Sequence, residues 1–97
     1  MIDVLLRPEA EDDLNEIADY TLERSGREQA RSYVAALRAD IAQLAHSARR
    51  FPIHAPTDLG LRRMRTGHHF VYYLTGPEAV EVVRILHERR DPTRHLD

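Results

Sequence analysis

Apolar positions along this chain change their period twice, and the changes divide it into elements. "IDVLLR", Ile2 to Arg7, is apolar and short and is stopped by Pro8, which predicts a first strand. Pro8 then suits the first position of a helix, with Glu9, Glu11, Asp12 and Asp13 in the opening turns, where the helix dipole favours acids. Leu14, Ile17, Ala18 and Leu22 recur at three- and four-residue spacing and form one helical stripe, closed by Gly26. From Arg27 a second stripe follows: Ala30, Tyr33, Val34, Leu37, Ile41, Leu44 and Ala45. Two amphipathic helices joined at "RSGR" predict an antiparallel helical hairpin.

"HSARRFPIHAPTD", His46 to Asp58, contains two prolines and no period, and reads as a loop. The remainder is strand-like. "LGLRRMR" (Leu59 to Arg65), "HHFVYYL" (His68 to Leu74) and "AVEVVRILH" (Ala79 to His87) are rich in β-branched and aromatic residues and are separated by short turns. The expected fold is α+β: an N-terminal strand, an antiparallel helical hairpin, then a three-stranded antiparallel meander. In the middle strand Phe70, Tyr72 and Leu74 share one face and His69, Val71 and Tyr73 the other, so both faces have apolar content.

Length limits this to a single domain, residues 1–97, with one small core. The absence of cysteine removes disulfides, thiolate metal sites and a cysteine nucleophile. Charge soon follows the apolar start, which argues against a signal peptide or a membrane span and places the protein in the cytosol. All 14 basic residues are arginine, which removes lysine chemistry. Residues 1–45 carry ten acids and five arginines, whereas 46–97 carry six acids and nine arginines, so the C-terminal half is the basic one. A net charge of -2 argues against a protein that coats nucleic acid over its whole surface.

The densest chemistry lies in "ILHERRDPTRHL". His87, Asp91 and His95 have i, i+4, i+8 spacing, but Pro92 breaks the helix that would align them, so no metal site is expected and the segment reads as a solvated basic tail. His68 and His69, adjacent in a strand, would point to opposite faces. Arg62, Arg63 and Arg65, with Arg84, Arg89 and Arg90, could gather to bind phosphate, or could form a solvated edge or ion pairs to the acidic first helix. A nuclease would need an acid and a base beside the attacking hydroxyl. His87 is the residue able to serve, with Arg65 as phosphate clamp; the plainer alternative is a strand-end histidine bonded to a carboxylate such as Asp91. No Gly-rich phosphate loop or Ser-His-Asp spacing is present, and no cofactor is expected.

Taken in order, "DLNEIADYT", "GLRRMRTGHHFVYY" and "ILHERRDPTRHL" give the chain a pattern that resembles the ParE toxins of bacterial type II toxin-antitoxin modules, over nearly its whole length. The resemblance implies the fold shared by ParE and the RelE ribosome-dependent mRNA endonucleases. It implies a non-enzymatic toxin that traps the DNA gyrase cleavage complex. It also implies a ParD-like antitoxin, with a DNA-binding ribbon-helix-helix half and a disordered half that wraps the toxin, so that operator DNA is met only through the antitoxin. The alternative it implies is a RelE-type endonuclease using Arg65 and His87; a third reading is a degenerate toxin acting only as corepressor. Amphipathicity and chain order place partner contacts on the outer faces of the hairpin, at Tyr20, Tyr33 and Leu37, and on the sheet at Arg62, Arg63, Arg65 and Tyr73.

Overall fold

In the computed structural model, which describes residues 2–54 and 59–96, strand β1 (Asp3–Leu6) leads directly into helix α1 (Pro8–Ser47). Strands β2 (Arg62–Thr66), β3 (His69–Thr75) and β4 (Ala79–His87) follow. The part of the expected loop at positions 55–58 lies outside the described residues.

Two features of the expected architecture are corrected. The helical region is not a pair of helices joined by a loop: α1 runs for 40 residues, and the only non-helical backbone inside it is Gly26, at φ 87 and ψ 174. Residues with a Cβ resist positive φ, so this glycine absorbs the whole change of direction. The bend is sharp, because a straight helix of this length would span about 60 Å, whereas Glu11 and Arg38 meet across it at 3.5 Å. "RSGR" signals a turn, and the structure resolves that turn within a single residue.

The second correction concerns the sheet. The first strand joins the other three, giving a four-stranded mixed sheet of order β1-β4-β3-β2. β2, β3 and β4 are antiparallel neighbours, while β1 runs parallel to β4, with Asp3 opposite Ala79 and Leu6 opposite Val82. A parallel pair needs a long crossover, and α1 lies within it. Local periodicity contains no information about that pairing, since the partners are 76 residues apart.

The helix packs on one face of the sheet. Ala10, Leu14 and Ile17 from before the bend, and Leu37, Ile41 and Leu44 from after it, bury against Met64, Val71, Tyr73, Val80, Val82 and Ile85. A shift of register between Tyr72 and Tyr73 marks an irregularity in the β3–β4 ladder. The other face carries a smaller cluster of Leu61, Tyr72, Val83 and Leu86, with Phe70 and Leu74 beside it. Leu96 completes this cluster and is 5% exposed. The final segment is therefore no free tail: it turns at Asp91, whose carboxylate accepts from the Thr93 N–H at 3.0 Å, and brings its last leucine back onto the sheet.

β1 is too short to cover the whole edge of β4. Its pairing ends near Arg7, whose N–H donates to the Val82 carbonyl. Beyond that point the Ile85 N–H donates to Asp13 of α1 at 2.9 Å, and Arg84 reaches the same carboxylate through Nε at 2.8 Å and Nη2 at 2.9 Å. Asp13 is buried, and a buried carboxylate is tolerated only when its oxygens are satisfied in this way.

Candidate functional site

The end of the sheet where β2 turns into β3 gathers three of the six histidines, His68, His69 and His87, beside Arg65 and Glu88. Thr66 sits on the helix face, where its hydroxyl donates to Asp40 at 2.6 Å. Gly67 follows at φ 60, and a Cβ there would lie 2.7 Å from the Tyr33 hydroxyl oxygen. That hydroxyl accepts from the His68 N–H at 2.9 Å and lies 2.6 Å from Nδ1 of His69. The hydroxyl and Nδ1 share one proton between them, which lies on the oxygen or on the ring according to the tautomer of His69. Burial, then the neighbouring His87 and His68, push His69 down to about 4.

His68 lies in the turn rather than in a strand, so strand alternation does not set its direction as expected; its ring meets Glu88 while that of His69 meets Tyr33. Both rings approach His87, His69 edge-on at 5.2 Å between centroids and His68 stacked at 6.5 Å. Glu88 receives Arg65 on one oxygen and His68 on the other, and these contacts, His68 first, hold its carboxyl below the ordinary range. Nδ1 of His87 accepts the Arg89 N–H at 3.1 Å, while Asp91 turns away to cap Thr93. Among the described residues no three His, Asp or Glu side chains come together in a way that could hold a metal.

The register separates the two residues singled out for phosphate chemistry. Arg65 is opposite Phe70, and His87 is opposite His69. Consecutive residues of β3 point to opposite faces, so Arg65 and His87 project from opposite faces of the sheet. Arg65 lies over the Phe70 ring at 5.4 Å and Arg63 over the same ring at 4.1 Å. Arg62 turns to the helix face, where Nη1 donates to the Phe51 carbonyl at 2.5 Å. Arg84 takes no part in a basic cluster, because it is bound to Asp13; here the ion pair to the acidic first helix is what forms.

Two residues expected on outer surfaces are interior. Leu37 is 1% exposed and Tyr73 is fully buried, with its hydroxyl donating to the Ala48 carbonyl at 2.5 Å and burial pushing the phenol up to about 12. The helical stripe has the expected period but faces the other way: on an amphipathic helix the most regular apolar positions are the ones that meet the sheet. Tyr33 is half-buried between helix and turn, and only Tyr20, 60% exposed, stands on an outer face.

A groove that sequence reading missed crosses the bend of α1. It measures about 480 Å3 and is lined by Ala18, Leu22, Ala30, Val34 and Ala35, with Asp19, Arg27, Arg31 and Arg38. The signal was present in the small residues Ala18, Ala30 and Ala35, which leave space wherever two helical segments approach.

The family model described as "ParE toxin of type II toxin-antitoxin system, parDE" matches residues 4–92. The chain is 42% identical over 90 residues to "Toxin ParE" of Escherichia coli, covering 90% of this chain and 85% of that one. It is 37% identical over 93 residues to "Toxin ParE1" of Mycobacterium tuberculosis, covering 95% of each, and 34% identical over 87 residues to "Toxin ParE1" of Caulobacter vibrioides, covering 90% of each. Among solved structures, a chain of "Chromosomal ParDE TA system from P. aeruginosa" has the same fold, with a TM-score of 0.76 at 19% identity over 90% of this chain and 96% of that one.

Proposed function

Since the chain belongs to the ParE toxin family of type II toxin-antitoxin systems, we propose that it arrests growth in the cytosol by poisoning DNA gyrase and that a ParD-like antitoxin neutralises it. It acts as one toxin domain, residues 1–97, and performs no chemistry of its own. The observation that carries this reading past family membership is the divergence of Arg65 and His87 to opposite faces of the sheet. An endonuclease of the RelE type would need its phosphate clamp and its acid or base to converge on one phosphodiester. Arg65 is moreover engaged by Glu88. That arrangement favours a binding poison over the nuclease alternative.

The groove across the bend of α1 suits an antitoxin segment that folds on binding, with an apolar floor for one face of a short helix and arginines beside it for acidic side chains. Leu22, which lines this groove, is 48% exposed and open to such a partner.

The reading is tested with purified toxin, purified gyrase and supercoiled DNA. Cleaved, gyrase-linked DNA should accumulate, and addition of the ribbon-helix-helix protein encoded beside the toxin should reverse the effect. Supercoiling and cleavage-complex levels that stay unchanged would remove gyrase as the target. Expression without the antitoxin should arrest growth; a chain that served only as corepressor would not do so.

A further inference from the structure

Positive charge on this molecule is concentrated in one place. Positions 46–65 contain five arginines and one acid, Asp58, whereas the rest of the chain contains nine arginines and fifteen acids. The fold brings the five together along β2 and the segment beside it. Ile53 bridges to Arg62, the His54 N–H donates to the Leu61 carbonyl at 2.7 Å, and Nη1 of Arg62 reaches the Arg49 and Phe51 carbonyls. Arg49 and Arg50 are thereby set next to Arg62. Arg62 and Arg63, consecutive on β2, point to opposite faces, so the cations wrap around the edge of the sheet.

Arg65 is neutralised by Glu88, and Arg84 by Asp13. Among the described residues, Arg49, Arg50, Arg62 and Arg63 form no ion pair; Arg62 donates to the Arg49 and Phe51 carbonyls, and Arg50 and Arg63 lie over the rings of Phe51 and Phe70. A guanidinium lying on an aromatic face keeps its N–H edge available, in a fork that matches phosphate oxygens.

We infer that this edge, formed by Arg49, Arg50, Arg62 and Arg63, is a contact surface for the phosphate backbone of double-stranded DNA. Three features select that partner. Two guanidiniums of the edge lie on aromatic rings, and a phosphate backbone needs only such positioned cations, whereas a peptide is held through anchors seated in a pocket. Single strands bind by stacking on free aromatic faces, and here arginines cover Phe51 and Phe70. Among the described residues of the edge, 48–54 and 59–65, no Ser, Thr, Asn or Gln stands beside the guanidiniums to add a contact to a 2'-hydroxyl, the group by which proteins tell RNA from DNA. The contact is independent of base sequence, and it does not depend on gyrase being the target.

The test is fluorescence anisotropy of a labelled mixed-sequence DNA duplex with the full chain. Four phosphate contacts give a log-log salt slope of about -3.6, which weakens affinity about a hundredfold between about 50 and 200 mM salt. Arg49→Gln with Arg50→Gln halves the slope and reduces the salt effect to about tenfold, and Arg50→Gln with Arg63→Gln does the same. The control pair Arg27→Gln with Arg31→Gln, in the α1 groove, leaves the slope unchanged. Circular dichroism confirms that each variant is folded. The inference is overturned if the duplex does not bind, if the edge variants and the control pair behave alike, or if duplex RNA or polyglutamate binds more tightly than the DNA.

Discussion

The Tyr33 hydroxyl and the Gly67 Cα are in such close contact that a Cβ on the glycine would fall 2.7 Å from the oxygen. This contact fastens the second segment of α1 to the β2–β3 turn, and the same hydroxyl bonds His68 and His69. Removing the hydroxyl with Tyr33→Phe should cost about 0.5–1.5 kcal/mol, since the exposed His68 N–H can turn to water while the half-buried His69 ring loses its partner. Gly67→Ala combines a clash with the strain of positive φ and should cost more than the roughly 1–2 kcal/mol of the backbone alone. In a Tyr33→Ala background the clash is gone, so the two substitutions should be non-additive in urea denaturation. Strict additivity would mean that the contact is absent in solution.

His69 makes this fastening sensitive to pH. Its folded value of about 4 lies below the ordinary 6.5, so the unfolded chain binds a proton that the folded one refuses. Stability associated with His69 is fully present above pH 6.5 and is lost as pH falls from there toward about 4. His69→Asn, which keeps a hydrogen-bonding amide near the Nδ1 position but does not titrate, should flatten that part of the melting-temperature profile. Parallel profiles for the two proteins would remove His69 as the cause.

Asp13 closes the sheet edge that β1 leaves uncovered. Asp13→Ala strands the Ile85 N–H and leaves a largely buried Arg84 without its anion. Removing one partner of a buried pair costs about 3–5 kcal/mol, and the low end applies because Arg84 retains some solvent. Chemical denaturation measures this; a loss below about 1 kcal/mol would place the pair among ordinary surface bridges.

For antitoxin capture, Val34→Asp with Ala35→Glu should weaken binding by at least tenfold in titration calorimetry, because both positions line the α1 groove. Leu37→Asp is not a test of the interface, since a charge at that buried position should unfold the toxin. Full affinity in the folded Val34/Ala35 double variant would exclude the groove as the docking site.

Several of these features are legible in the amino-acid sequence. The Pro8 start of the helix, the two stripes around Gly26, the alternating faces of β3 and the breaking effect of Pro92 all depend on residues within a few positions of one another. The resemblance carried by three motifs in order leads correctly to the family. Local pattern also shows that Tyr72 and Tyr73 point to opposite faces, but not that each is buried.

What the amino-acid sequence determined by itself is therefore local: where backbone can be helical, where it must turn, and which side chains share a face. The parallel pairing of β1 with β4, the return of Leu96 to the second face and the capture of Arg84 by Asp13 were decided only by tertiary structure. The physical reason is that each is the answer to a shortage elsewhere. β4 has an edge that β1 cannot fill, the second face has apolar area that the helix cannot reach, and Asp13 cannot be buried without a cation. The same holds for function. Arg65 and His87 are 22 residues apart in the chain and look like partners there, and only the register of β3 sends them to opposite faces.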